Sequence, residues 1–92
     1  MELLTKNKMK TKVLYFYAMW DNHATEKLNN FYKEVKALRV PFDVIDVETP
    51  EGVKASIKYG VRNVPTILYV QGNREIDRDK GNEAYTLIQY HF

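Results

Sequence analysis

Residues Val13 to Ala18 read VLYFYA, an almost wholly apolar and aromatic run. Such a run suits a strand buried on both faces, as at the centre of a sheet with helices above and below. From Ala24 to about Arg39 the apolar residues Leu28, Phe31, Tyr32, Val35 and Leu38 recur at spacings of three and four, which puts them on one helical face. Asp21 or Asn22 can cap that helix by accepting hydrogen bonds from its first free N–H groups. Val40-Pro41 ends it, because the residue before proline disfavours the helical region. Phe42 to Val47, FDVIDV, then reads as a second strand. Two strands joined through a helix of this length should be parallel, with a right-handed crossover.

The second half continues the alternation. Thr49-Pro50-Glu51 is a helix start, with a capping hydroxyl, a proline at the first helical position and an acid in the first turn. Val53 and Ile57 sit four apart on this short helix, and Gly60 is placed to end it in the left-handed conformation. Val61 to Pro65 is a loop, Thr66 to Val70 a third strand, Gln71-Gly72-Asn73 a tight turn and Arg74 to Asp77 a more polar fourth strand. The short glycine-containing turn should make the last two strands antiparallel. Gly81-Asn82 opens a closing helix with Ala84, Leu87, Ile88 and Phe92 on its inner face. The expected fold is α/β: four mixed strands flanked by three helices, in the order β-α-β-α-β-β-α.

Bulk properties narrow the function. Ninety-two residues suffice for one core and not for two. At 45% apolar and 28% charged residues, the chain can bury that core. No apolar run approaches the roughly 18 to 20 residues that span a bilayer, so no membrane partner is expected. Lys6, Lys8, Lys10 and Lys12 are followed by no apolar stretch of secretory-signal length, which makes the cytoplasm the expected location. Fourteen basic and twelve acidic side chains are mixed along the chain, for a net charge of +2. That balance argues against nucleic acid, whose binders concentrate basic charge on one face. Cysteine is absent altogether.

Three separated segments carry a family resemblance. Phe16-Tyr17-Ala18-Met19-Trp20-Asp21-Asn22-His23-Ala24 is similar to the aromatic–Ala–x–Trp–Cys–x–x–Cys segment of thioredoxins. Tyr59-Gly60-Val61-Arg62-Asn63-Val64-Pro65-Thr66 resembles their Tyr–Gly–(Ile/Val)–Arg–x–(Ile/Val)–Pro–Thr signature, whose proline is cis, and Gly81 matches their glycine before the last helix. The resemblance covers roughly Lys12 onward and implies a thioredoxin-like fold. Residues 1–11 are too few for the family's opening strand and helix, so they are expected to be flexible or extended, with 12–92 as a single domain. Small chains of this kind occur in bacteria and their phages.

The same comparison implies that the family's reaction is missing. Dithiol exchange needs a thiolate at a helix N-terminus, where the dipole and free N–H groups lower its pKa, and a second thiol to resolve the mixed disulfide. The matching positions are Asp21 and Ala24. The family's buried acid falls at Tyr15, and the proline between the cysteines is His23. An Asp–His pair without a nucleophile is no triad. Two histidines without clustered acids make no metal site, and no cofactor is expected. The resemblance leaves a rim of Trp20, Asp21, Asn22, His23, Val64 and Pro65, where thioredoxins hold extended peptides through the backbone of the residue before the cis proline. The leading reading is a redox-inactive domain that binds a protein or peptide there. Rival readings are a disulfide oxidoreductase by similarity only and a structural subunit using another surface.

Overall fold

The computed structural model describes residues 11–79, which run β1 (Thr11–Tyr17), α1 (Ala24–Ala37), β2 (Phe42–Asp46), α2 (Pro50–Tyr59), β3 (Thr66–Gln71) and β4 (Arg74–Asp79). The strands form one mixed sheet in the order β2-β1-β3-β4. β1 lies parallel to β2, with Val13 opposite Phe42 and Tyr17 opposite Asp46. It lies antiparallel to β3, with Leu14 opposite Leu68. β3 and β4 form an antiparallel hairpin across Gly72-Asn73. This is the thioredoxin-like α/β architecture the sequence implies. The expected closing helix from Gly81, and residues 1–10, lie outside the described residues.

Alternation along β1 builds two cores. Val13 and Tyr15 point to one face, where Ile67, Val40 and the α1 residues Phe31 and Val35 meet them. Leu14 and Phe16 point to the other, against Leu68, Val70 and the partly buried Ala55 and Tyr59 of α2. One strand therefore glues a helix to each side of the sheet, as its unbroken apolar run requires. The Tyr15 ring stacks on Phe31 with centroids 4.4 Å apart, and Phe31 meets Phe42 edge-on at 5.6 Å. Burial pushes the Tyr15 phenol up to about 12, helped by the nearby negative charges of Asp21 and Glu34.

The helix ends differ in part from expectation. Neither Asp21 nor Asn22 caps α1. Its N-cap is His23, in the left-handed conformation at φ 61° and with no side-chain cap bond. The chain enters the helix through a tight turn: Asp21 N–H donates to the Ala18 carbonyl at 3.0 Å and Ala24 N–H to the Asp21 carbonyl at 3.1 Å. The Asp21 main-chain carbonyl thus serves where a side-chain oxygen was expected. At the other end α1 stops at Ala37, with Leu38 as its C-cap, and Arg39 takes φ 56°. α2 starts as anticipated, the Thr49 hydroxyl accepting from Gly52 N–H at 2.9 Å, and ends at Gly60 with φ 62°.

Two glycines of α2 should answer differently to the same substitution. A Cβ on Gly52 would sit 1.8 Å from the Asp46 carbonyl oxygen, so backbone must move, whereas a Cβ on Gly60 meets nothing within 4 Å and suffers only its positive φ. Gly52→Ala should cost about 3 kcal/mol, at the upper end for overpacking, and Gly60→Ala about 1 kcal/mol, read from urea midpoints at constant m. Tyr15 yields a pH prediction. Its phenol ionises near pH 10 in the unfolded chain and near 12 in the fold, so the unfolded state releases its proton first. Stability should be intact below pH 10 and should fall between about 10 and 12 by up to about 1.4 kcal/mol per unit. Tyr15→Phe should remove that component, measured as the difference between the two proteins' urea stabilities across the window.

Candidate functional site

The loop after β1 sits at the tip of the central strand, the position where thioredoxin-like chains present their chemistry. Ala18 is buried, and the chain then emerges so that Met19 is 54% and Trp20 68% exposed. Asp21, at the first cysteine position, turns away from solvent: its Oδ2 accepts from Lys27 Nζ at 3.0 Å in a half-buried ion pair. Ala24, at the second cysteine position, is buried and offers only a methyl group. Asn22 and His23 are exposed, and His23 Nδ1 lies 3.5 Å from Glu26 Oε1. Tyr15, at the buried-acid position, is a neutral stacked ring. No thiol stands at either motif position, and the first is occupied by a carboxylate already paired with a cation.

Beside this loop lies an open groove of about 450 Å³, within the usual range of ligand pockets. Trp20 forms part of its wall, with Val47, Val53, Ile57, Val61 and Val64 adding apolar surface. Val53 and Ile57 do not face the core. They are 47% and 76% exposed, while Ala55 and Tyr59 make the inward contacts of α2. Ser56, Arg62 and Asn63 are the polar members of the lining, and the Ser56 hydroxyl is buried without a hydrogen-bond partner among the described residues.

Val64 closes the groove. Its peptide bond to Pro65 is cis, and Pro65 itself is buried. Among the described residues the Val64 N–H and C=O have no hydrogen-bond partner, since β3 begins pairing only at Thr66. The Thr66 hydroxyl donates to the Asn63 carbonyl across the turn. The loop's other end is pinned from β4: the Arg78 guanidinium donates to the carbonyls of Tyr59 and Gly60 while Glu75 holds it through Nε at 2.7 Å and Nη2 at 2.8 Å. That contact keeps the Glu75 carboxyl below the usual carboxylate range. It also satisfies carbonyls left open at the end of α2.

Of the residues singled out from sequence, Trp20 and Val64 share the groove, with Pro65 buried beside it. Asp21, Asn22 and His23 adjoin it in the chain but do not line it. Val53, Ile57, Arg62 and Arg78 were not anticipated as part of the region. Arg78 had no sequence signal, because residues three apart on a regular strand face opposite sides and the Glu75–Arg78 pair spans a register irregularity in β4. Among the described residues no three His, Asp or Glu side chains gather as a metal site would need, and no helix is long and apolar enough to cross a membrane.

Comparison with known proteins agrees with this geometry. No family model matches the sequence. Glutaredoxin 3 of Danio rerio is 29% identical over 83 residues, which cover 90% of this chain and 25% of the relative, so the chain spans about a quarter of that protein's length. The thioredoxin of Fasciola hepatica superposes with a TM-score of 0.75 at 27% identity, covering 97% of this chain and 85% of that one. Schistosoma mansoni thioredoxin has the same TM-score at 20% identity, with 96% and 82% covered. Sheet order and these likenesses together give the chain a thioredoxin-like fold, in which the segment resembling the thioredoxin dithiol motif reads Asp21-Asn22-His23-Ala24.

Proposed function

We propose that this chain is a redox-inactive thioredoxin-like module that binds an extended peptide segment at the rim of the former dithiol site. One observation carries the reading: large apolar side chains stand exposed around a groove that reaches the main chain of Val64, which is unpaired among the described residues. Exposing Trp20 and Ile57 to water costs stability that burial elsewhere would recover, and contiguous exposed apolar surface marks interaction sites. A strand laid beside Val64 would satisfy its N–H and C=O, while alternate side chains entered the groove. Neither action needs sulfur. Thiol–disulfide exchange does, and the sequence holds no cysteine. Retention of the rim beside a sulfur-free loop supports binding over turnover. The proposed setting is the cytoplasm, on the sequence ground given above.

The single tryptophan is its own reporter, because a ligand seated in the groove would cover the indole. Octapeptides selected from a random phage-displayed library on the immobilised chain should blue-shift Trp20 emission on titration. Val64→Asp should weaken them at least tenfold, and Lys33→Glu, on the exposed face of α1, should leave them within twofold. Insulin reduction should run no faster than the reductant alone. Selected peptides that leave Trp20 emission unmoved and bind Val64→Asp as tightly as the native chain would overturn the reading, as would measurable insulin turnover.

A further inference from the structure

The lining of the groove is lopsided in charge. Trp20, Val47, Val53, Ile57, Val61 and Val64 are apolar, Ser56 and Asn63 are neutral, and Arg62 is the sole charged side chain among the lining residues. Arg62 is exposed and forms no ion pair with any described residue. The contrast with the rest of the region is informative. Asp21 is held by Lys27 and Glu75 by Arg78, so the two carboxylates that flank the region already have cations within the fold and leave Arg62 to an outside anion. A guanidinium with no ion pair among the described residues, at the edge of an apolar slot, presents a fork of donors suited to a carboxylate, and apolar walls on one side strengthen the pairing relative to bulk water.

We infer that the occupant is an extended segment combining a bulky apolar side chain with an acidic one a few residues away. The apolar side chain enters between Trp20 and the Val53/Ile57 face of α2, and the carboxylate meets Arg62. The inference rests on the peptide-binding reading above and adds to it the sign of the partner's charge. Apolar burial supplies affinity, whereas the ion pair supplies orientation and discrimination against basic segments, because a like charge at Arg62 is repelled as well as unrewarded.

The test uses the full chain and the same random octapeptide library, selected in parallel on the native protein and on Arg62→Glu. Native selections should be enriched in a large apolar residue with Asp or Glu within three positions, and Arg62→Glu selections should exchange the acid for Lys or Arg. For the best native peptide, followed by Trp20 emission, replacing its acid with Gln should weaken binding about threefold to fivefold, the span of a partly exposed pair, and replacing it with Lys about tenfold. Arg62→Gln should erase the Glu-over-Gln preference and leave the Gln peptide's affinity within twofold. Equal enrichment of acids and bases on the native chain, with apolar enrichment and Val64 dependence kept, overturns this inference and leaves the binding reading standing. No enrichment at all overturns both. A concentration-dependent dimer in sedimentation that Ile57→Glu dissolves would name a second copy of the chain as the occupant, and would also overturn the inference.

Discussion

Strand β1 is buried on both faces and hydrogen-bonded at both edges, and every other described element takes its place from that. Its odd-numbered residues reach α1 and its even-numbered ones reach α2, so neither helix could shift without opening a gap against a residue of the same strand. β2 is set in register by its parallel ladder and β3 by its antiparallel one. A slip of one residue along β1 would exchange its two faces and send Tyr15 towards the α2 side, away from its stack on Phe31. The loop at the end of such a strand inherits its rigidity. Trp20 can stand exposed in a defined place because Ala18, two residues earlier, is fully enclosed.

The substitutions in that loop are mutually consistent as physical chemistry. A carboxylate at position 21 would repel a second buried acid at position 15, and position 15 holds a tyrosine. The same carboxylate is close enough to raise the Tyr15 phenol further above its ordinary value, so the pair remains one charged group beside one neutral group. Lys27, one turn into α1, supplies the counter-charge to Asp21. Ala24 places a buried methyl at the helix start, so no side chain there offers sulfur. The electrophile-facing thiolate of the family has no counterpart among these atoms.

Much of this architecture is legible in the residues themselves, because periodicity reports which side of an element is covered. VLYFYA announces a strand with two covered faces, and Thr49-Pro50-Glu51 with Gly60 brackets α2 at both ends. The start of α1 is less legible. Asp21 and Asn22 have the chemistry of N-caps, but their use depends on the turn that precedes them, and a left-handed His23 places the main-chain carbonyl of Asp21 where a cap would act. Spacing also fails to say which of two apolar stripes on a short helix is inward. Val53 and Ile57 share the helical period of Ala55 and Tyr59, and only the position of the sheet separates them. Arg78 illustrates a third gap: its partners are carbonyls nearly twenty residues away, and a carbonyl has no sequence signature.

α2 is divided into two apolar stripes, one inward and one outward. A helix needed only to cover the sheet would expose polar side chains on its outer face, since each exposed apolar residue weakens solubility and adds nothing to the core. Here Ala55 and Tyr59 cover the sheet while Val53 and Ile57 turn towards Trp20. Trp20 in turn projects from a loop that carries no cysteine, so thiol chemistry does not account for its exposure. The two sides of the groove come from different elements, yet both are anchored to the rigid part of the molecule: the loop through Ala18 and β1, and the helix through Gly52 packed against the Asp46 carbonyl. A preformed apolar slot demands little ordering on binding, which is where a weakly hydrogen-bonded interface gains most. The exposed apolar side chains of Trp20, Val53 and Ile57 therefore sit on elements that the packing of β1 and β2 holds in place.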